Sequence, residues 1–327
     1  MKIALTGASG HIGTAIIQEL IHRGHEVRVL AHKDISFLEG KDIEFVNGNV
    51  NDRGAVESLL QGCDALIHSA AIISIDGDQG GYVRTVNVDG VRNVMDIALE
   101  IKIGRVVHIS SIHAYDPLPK NEVLDETRNF VDNTAFAYDQ SKRDGQLIVL
   151  DFVKKGLPAI IVNPTSVTGQ PENKLSLQGK AILDIYLGKI PAVFEGGYDW
   201  VDVKDVASSV CNALTMGRVG ENYLLSGKYY TMKEIISLVS EIKGKPIKVR
   251  TIPVFAVKLG LPFVKLYSKI TKKDPLYTRE SIEILLHGNA KISHEKAKAE
   301  LNHHPRPFKK TLEDLIEWFK LNGYINE

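Results

Sequence analysis

Ser111, Tyr138 and Lys142 are residues whose types and spacing suit proton transfer to or from an alcohol or carbonyl oxygen. Tyr138-Asp139-Gln140-Ser141-Lys142 falls in a stretch with helical periodicity, and residues four apart on a helix share a face. A lysine ammonium beside a phenol favours phenolate, so Lys142 is expected to lower the Tyr138 pKa from about 10 toward neutrality. Such a tyrosine exchanges a proton with a bound oxygen near pH 7, and Ser111 would hydrogen-bond that same oxygen. Y-x-x-x-K alone is a weak signal, because Tyr229 and Lys233 repeat it. That second copy straddles a predicted helix start and follows no serine-bearing strand end, so it reads as chance.

The elements that must position these side chains begin at the N-terminus. Lys2 to Leu5 is a short apolar run, T-G-A-S-G-H-I-G follows over residues 6–13, and Ile12, Ile16 and Leu20 then recur at helical spacing. Strand, glycine turn and helix N-terminus in that order make an anion site for a dinucleotide pyrophosphate. Gly7 would permit a positive φ, Gly10 a close backbone approach to the pyrophosphate, and Gly13 tight helix–strand packing. Ser9, His11 and Ile12 complete that turn. Further strands are expected at Glu26–Leu30, Ile43–Val46, Ala65–His68, Arg105–Ile109 and Ala159–Val162, alternating with helices. The fold class is therefore α/β, a Rossmann-type, doubly wound parallel sheet.

Strand ends supply the remaining cofactor candidates. Ala31 stands where an acid would bond the adenosine ribose 2′-OH, and His32 and Lys33 follow, which favours NADP(H) over the alternative, NAD(H). Asn49 and Val50 would face an adenine ring, although a plain helix cap explains them nearly as well. Ser69, Ala70 and Ala71 are small enough to pack against a dinucleotide, and equally against a helix. Lys142 would also hold the nicotinamide ribose. After Pro164 the rhythm loosens into a smaller, mostly helical lobe. The expected division is 1–164 for the dinucleotide domain with 198–218 returning to it, and 165–197 with 219–327 for the substrate lobe.

Composition narrows the class. Lys and Arg number 40 and Asp and Glu 40, so the formal charge is zero and nothing points to nucleic acid. Cys63 and Cys211 read as reduced core thiols rather than metal ligands, and no metal site is expected. The chain enters its first strand at once and holds no apolar run of about 20 residues, from which a cytoplasmic protein without a transmembrane segment is expected. His113, Tyr115, Tyr82 and Tyr198 would line a substrate cleft or face solvent. Pro253 to Ile270 reads as a lobe helix pair packed on the core or a second subunit, with a membrane-surface or substrate-capping role as the alternative. His303 and His304 read as a polar turn before Pro305.

T-G-A-S-G-H-I-G, the H-S-A-A strand end, N-V-D-G-V-R-N-V, Ser111 and Y-D-Q-S-K together resemble the extended short-chain dehydrogenase/reductase superfamily, over nearly the whole chain. The resemblance implies catalytic roles for Ser111, Tyr138 and Lys142, supported by Asn87. V-N-P-T-S-V-T-G (162–169) and G-G-Y-D-W-V-D-V-K-D-V (196–206) resemble the dihydroflavonol-4-reductase-like branch, which implies NADPH-dependent reduction of a carbonyl. That branch tends to carry arginine where this chain has His32. It also implies cofactor contacts at Asn163, Pro164 and Ser166, and a homodimer through the helices near 82–101 and 138–154. The main rival is a nucleotide-sugar epimerase with tightly held NAD, for which Asn163 would contact the sugar nucleotide. A 4,6-dehydratase would resemble S-T-D-E-V-Y, whereas Ile112 and His113 replace the two acids here. A non-catalytic NADP(H)-binding regulator would commonly lack the tyrosine or lysine, and both are present.

Overall fold

The computed structural model describes residues 1–31, 40, 42–172, 175–257, 259 and 278–325. His32, Lys33 and most of the 253–270 stretch lie outside the described residues.

Seven parallel strands form the central sheet. They are β1 (Lys2–Thr6), β2 (Glu26–Ala31), β3 (Glu44–Asn47), β4 (Ala65–His68), β5 (Arg105–Ile109), β6 (Ala159–Pro164) and Asn222–Leu225. Their order is Asn222–Leu225, β6, β5, β4, β1, β2, β3. Central strands such as β4 are buried along their whole length because helices cover both faces. On one face α1 (His11–His22) sets Ile16, Ile17 and Leu20 against Val206 and Val210 of the helix Val203–Ala213. On the other, α2 (Arg53–Leu60) and the helices that follow bury Leu59, Val91, Val94, Val149 and Phe152. Strand order reverses between β1 and β4, and a crevice at the carboxyl ends of the strands opens at such a reversal.

The helix after β4 is interrupted. α3 (Tyr82–Arg84) runs into a π turn at Thr85–Asp89 and then into α4 (Gly90–Glu100). Opposite it lies α5 (Ala137–Lys154). A Cβ on Gly145 would come within 2.7 Å of the Asn87 carbonyl, so glycine is what lets α5 approach the π turn.

Beyond β6 the structure departs from the expected boundaries. Asn222–Leu225, assigned to the lobe, is the edge strand of the main sheet, paired with β6. Gly197–Asp202 belongs to a separate small sheet with Ser166–Thr168 and Lys228–Thr231, although the helix after it does return to α1. Thr231 begins its helix with a capping box, as its spacing to Glu234 predicts. Tyr229 is in a strand and Lys233 in that helix, which removes the second Y-x-x-x-K from consideration. After that helix a short strand, Arg250–Thr251, pairs with Ala192–Val193. His303 is no surface turn residue: it is fully buried, with Nε2 donating to the Ser226 carbonyl at 2.9 Å and Nδ1 2.8 Å from Ser209 Oγ. Among the described residues no helix is long and apolar enough to cross a membrane.

Candidate active site

The glycine turn is tightly built. Gly7 has φ +75°, and a Cβ there would stand 2.6 Å from both Ala70 N and the Ser69 carbonyl carbon. Ser69 and Ala70 are thus pressed against the turn, with Ala70 N donating to Thr6 Oγ1 at 3.2 Å. A Cβ on Gly13 would collide with the Gly7 carbonyl, whereas one on Gly10 would sit 3.3 Å from it. Gly10 is exposed and caps α1 without any side-chain hydrogen bond to the first-turn amides. A twelve-residue helix whose N-terminus is open, behind a glycine that clears the approach, fits a dinucleotide pyrophosphate. His11 does not face that space alone: Nε2 donates to the Gly169 carbonyl at 2.7 Å and lies 3.7 Å from the buried Glu172 carboxylate. It ties the turn to the loop after Ser166–Thr168.

Ser111, just past β5, lies close enough to the Tyr138 side chain to favour its ionised form. Ser111 Oγ accepts from His113 N at 3.2 Å and caps the short 3₁₀ turn Ile112–Ala114. The two residues are buried and meet although 27 positions of sequence separate their numbers, because β5 and the start of α5 converge there. Lys142 is one helical turn on, and its Nζ donates to the Ile109 carbonyl at 3.0 Å. Ser111, Tyr138 and Lys142 therefore come together as their spacing predicts.

The expected effect of Lys142 on Tyr138 is not what the site shows. Burial pushes the Tyr138 phenol up to about 12, opposed by the Ser111 hydroxyl. Burial also pushes the Lys142 ammonium down to about 8. The ammonium is spent on the Ile109 carbonyl, so desolvation outweighs its attraction for a phenolate. Its charge is directed toward β4 and β5, where it contributes to holding His68 and His108 neutral.

Other predicted residues have structural work. Asn87 in the π turn accepts from Ile72 N at 2.7 Å and donates to the Ile72 carbonyl and Ser141 Oγ, both at 2.9 Å. It clasps the segment after Ser69-Ala70-Ala71 to α5 and touches neither Tyr138 nor Lys142 through a hydrogen bond. Asn163 is 0% exposed, its amide donating to the Ser111 carbonyl at 3.0 Å and to Gln146 Oε1 at 2.7 Å. It braces Ser111 from behind and has no surface to offer a substrate or dinucleotide, a correction that follows from its place inside β6. Pro164 is buried beside it. Tyr115 is 2% exposed, its ring tilted against Phe130 and its hydroxyl bonded to Gln146, and it lines the cavity that adjoins the site. Val50 is buried beneath Gly90, and Asn49 Oδ1 accepts from Asn51 N, closing its own turn.

A cavity of about 500 Å³ adjoins the site. Ile112, His113, Phe136 and Asp139 bring it to the Tyr138 side, and Thr165, Ser166, Tyr198, Asp199 and Ile284 form the far wall. His113 Nδ1 is 2.8 Å from Asp139 Oδ1, and its ring meets the Tyr138 ring edge-on at 5.5 Å. His113, Tyr115 and Tyr198 thus line the cavity as the sequence suggested, and Ser166, expected against the dinucleotide, lines it too. Gln146 and Asp199 were missed: Gln146 lies one turn beyond Lys142 on the same helix face, and Asp199 sits inside the G-G-Y-D-W-V-D-V motif.

Residues 3–226 match the family described as the NAD dependent epimerase/dehydratase family. The chain is 30% identical to sterol demethylase protein B of Methylococcus capsulatus, over 99% of this chain and 100% of that protein. It is 29% identical to a Synechocystis protein provisionally named dihydroflavonol 4-reductase, over 98% of this chain and 95% of that one. The crystal structure of gox2253 superposes with a TM-score of 0.85 at 31% identity, covering 100% of this chain and 99% of the other. Glycine turn, strand order and family match agree: the chain belongs to the NAD dependent epimerase/dehydratase family, as an NAD(P)-dependent oxidoreductase of the extended short-chain dehydrogenase/reductase type.

Proposed function

We propose that the protein reduces the carbonyl of an apolar ketone or aldehyde with NADP(H), Ser111, Tyr138 and Lys142 forming its catalytic triad. The observation that carries this reading is the lining of the cavity. Among the described residues it holds Asp116, Asp132, Asp139, Asp199 and Glu283 beside apolar side chains, and no lysine or arginine. A nucleotide-sugar diphosphate brings negative charge that such a wall repels, which disfavours the epimerase. The volume is that of a cavity for a compact organic ligand. Relatives named for a sterol demethylase and a dihydroflavonol reductase support a largely apolar substrate. NADP(H) is favoured because β2 ends on Ala31, which offers no carboxylate to a ribose 2′-OH.

When bound, the dinucleotide supplies the hydride. The glycine turn and α1 would hold its pyrophosphate, and the Lys142 ammonium, anchored at the Ile109 carbonyl, would bond its ribose. Ser111 and Tyr138 hold the substrate oxygen between them, and the Tyr138 phenol gives that oxygen its proton as negative charge builds. Burial raises the phenol to about 12, so it is in the protonated form throughout the neutral range and, as a weaker acid than a free phenol, gives its proton up only as negative charge builds on the substrate oxygen.

The test follows NADPH and NADH absorbance against aromatic and aliphatic ketones, aldehydes and UDP-sugars. NADPH oxidation by apolar carbonyls, reduced about 10²–10⁴-fold in Tyr138→Phe with dinucleotide binding retained, is expected. Interconversion of a UDP-sugar without net oxidation would overturn the reading.

A further inference from the structure

Asp199 is a carboxylate in the wall of the cavity to which none of the described residues brings a counter-charge. It lies on the strand Gly197–Asp202 and is 7% exposed. Both of its hydrogen bonds fall on Oδ1, from Thr165 Oγ1 at 2.7 Å and from Gly227 N at 2.8 Å. Among the described residues, Oδ2 receives none and no ion pair reaches the side chain. Other lining acids are occupied close to home: Asp116 by Leu118 N, Asp132 by Thr134 and Asp139 by His113.

A buried polar group is costly unless something bonds to it, and the cost is greater for a charge. Burial pushes the Asp199 carboxyl up to about 6, so it is largely ionised at neutral pH even without a cation beside it. Thr165 also lines the cavity, and its hydroxyl proton is committed to Asp199. Toward the cavity the pair therefore presents acceptors: the free Oδ2 and the Thr165 oxygen lone pairs.

We propose that Asp199 and Thr165 form a substrate subsite that takes the O–H or N–H donor of an otherwise apolar ketone or aldehyde. Donor and carbonyl then fix the substrate at two points, which orients it before the Ser111–Tyr138 pair. Asp199 is a specificity-determining residue in this account, and the assignment rests on the reductase reading of the same cavity.

The test uses decalin ketones in which a hydroxyl, amino or methoxy group is scanned around the second ring, with the unsubstituted ketone as reference. Calorimetric titration into the NADP⁺-saturated protein gives affinity, and NADPH oxidation gives KM and kcat separately. At least one hydroxyl or amino isomer should bind about tenfold or more tighter than its methoxy counterpart, as a hydrogen bond to a charged group requires. Whether the hydroxyl or the amino isomer is preferred identifies the donor. Asp199→Asn keeps an oxygen for Gly227 and Thr165 but turns an amide donor toward the cavity, so the preference should vanish or invert, chiefly in KM. Thr165→Val, nearly the same shape, should weaken it as well and carries the test if Asp199→Asn does not fold. Equal binding across the series, or a preference that survives both substitutions, overturns the proposal. Donor-selective binding without NADPH oxidation would retain the subsite and remove the reductase reading. NADPH oxidation without donor selectivity would do the reverse.

Discussion

Tyr138 and Lys142 share a helix face, yet burial acts on them in opposite directions, leaving one a protonated phenol and the other an easily discharged amine. The phenol keeps its proton up to about 12, so the first group to fail on raising the pH is Lys142, which loses its charge above about 8. In the reduction direction kcat/KM for the dinucleotide should fall roughly tenfold per pH unit above that point. Lys142→Arg, whose guanidinium holds its proton, should lose this alkaline limb in whatever activity remains, and a pH profile that keeps it would assign the limb elsewhere. Residue types and spacing singled out Ser111, Tyr138 and Lys142 only together with the glycine turn and strand order, since Y-x-x-x-K occurs a second time at Tyr229 and Lys233. They did not announce that Asn163 would be walled in, since its burial depends on Gln146 reaching across from α5 to bond it.

At the scale of elements, close approach decides. A Cβ on Gly13 would meet the Gly7 carbonyl, so Gly13→Ala should cost about 1–3 kcal/mol of stability through overpacking, measured by urea unfolding. Gly10→Ala meets that carbonyl only at 3.3 Å and should leave the fold nearly intact while weakening dinucleotide affinity tenfold or more, measured by titration. The two glycines look alike in sequence and are separable only by what faces them. Asn87→Ala removes three hydrogen bonds between the segment at Ile72 and α5. It should lower stability by about 1–3 kcal/mol in the same urea assay, the cost of leaving backbone groups partly unpaired. It should also raise KM for the dinucleotide, because Ser69-Ala70-Ala71 would lose its clasp. The π turn that aims Asn87 inward was not legible in N-V-D-G-V-R-N-V, whose apolar spacing fits an ordinary helix.

For the whole molecule, the centre of the sheet carries a pH liability. His68 and His108 pair in register on β4 and β5, with rings stacked 5.3 Å apart. Burial holds His68 down at about 3 and His108 well below its ordinary 6.5. The unfolded chain binds protons at these positions as pH falls through about 6.5, and the folded chain does not until about 3 for His68. Stability is therefore lost on acidification across that window, by up to ~1.4 kcal/mol per pH unit for each histidine. Between pH 7 and 5, His68→Gln should lose about 2 kcal/mol less than the wild type in urea unfolding. An identical pH dependence in the two proteins would show that His68 takes up its proton in the folded state.

The sequence by itself determined the fold class, six of the seven central strands, the dinucleotide turn and the Ser111–Tyr138–Lys142 constellation. Each rests on short-range regularities: apolar runs, helical period, and glycines where a side chain would collide. The tertiary structure alone decided the seventh strand, which pairs with β6 between two visits of the chain to a second small sheet. It also decided the state of each titratable group, because burial is set by elements distant in sequence. The cavity wall is the clearest case: Asp199, Thr165 and Gly227 come from three separate segments, and no spacing along the chain could show that one carboxylate oxygen would face the cavity without a partner among the described residues.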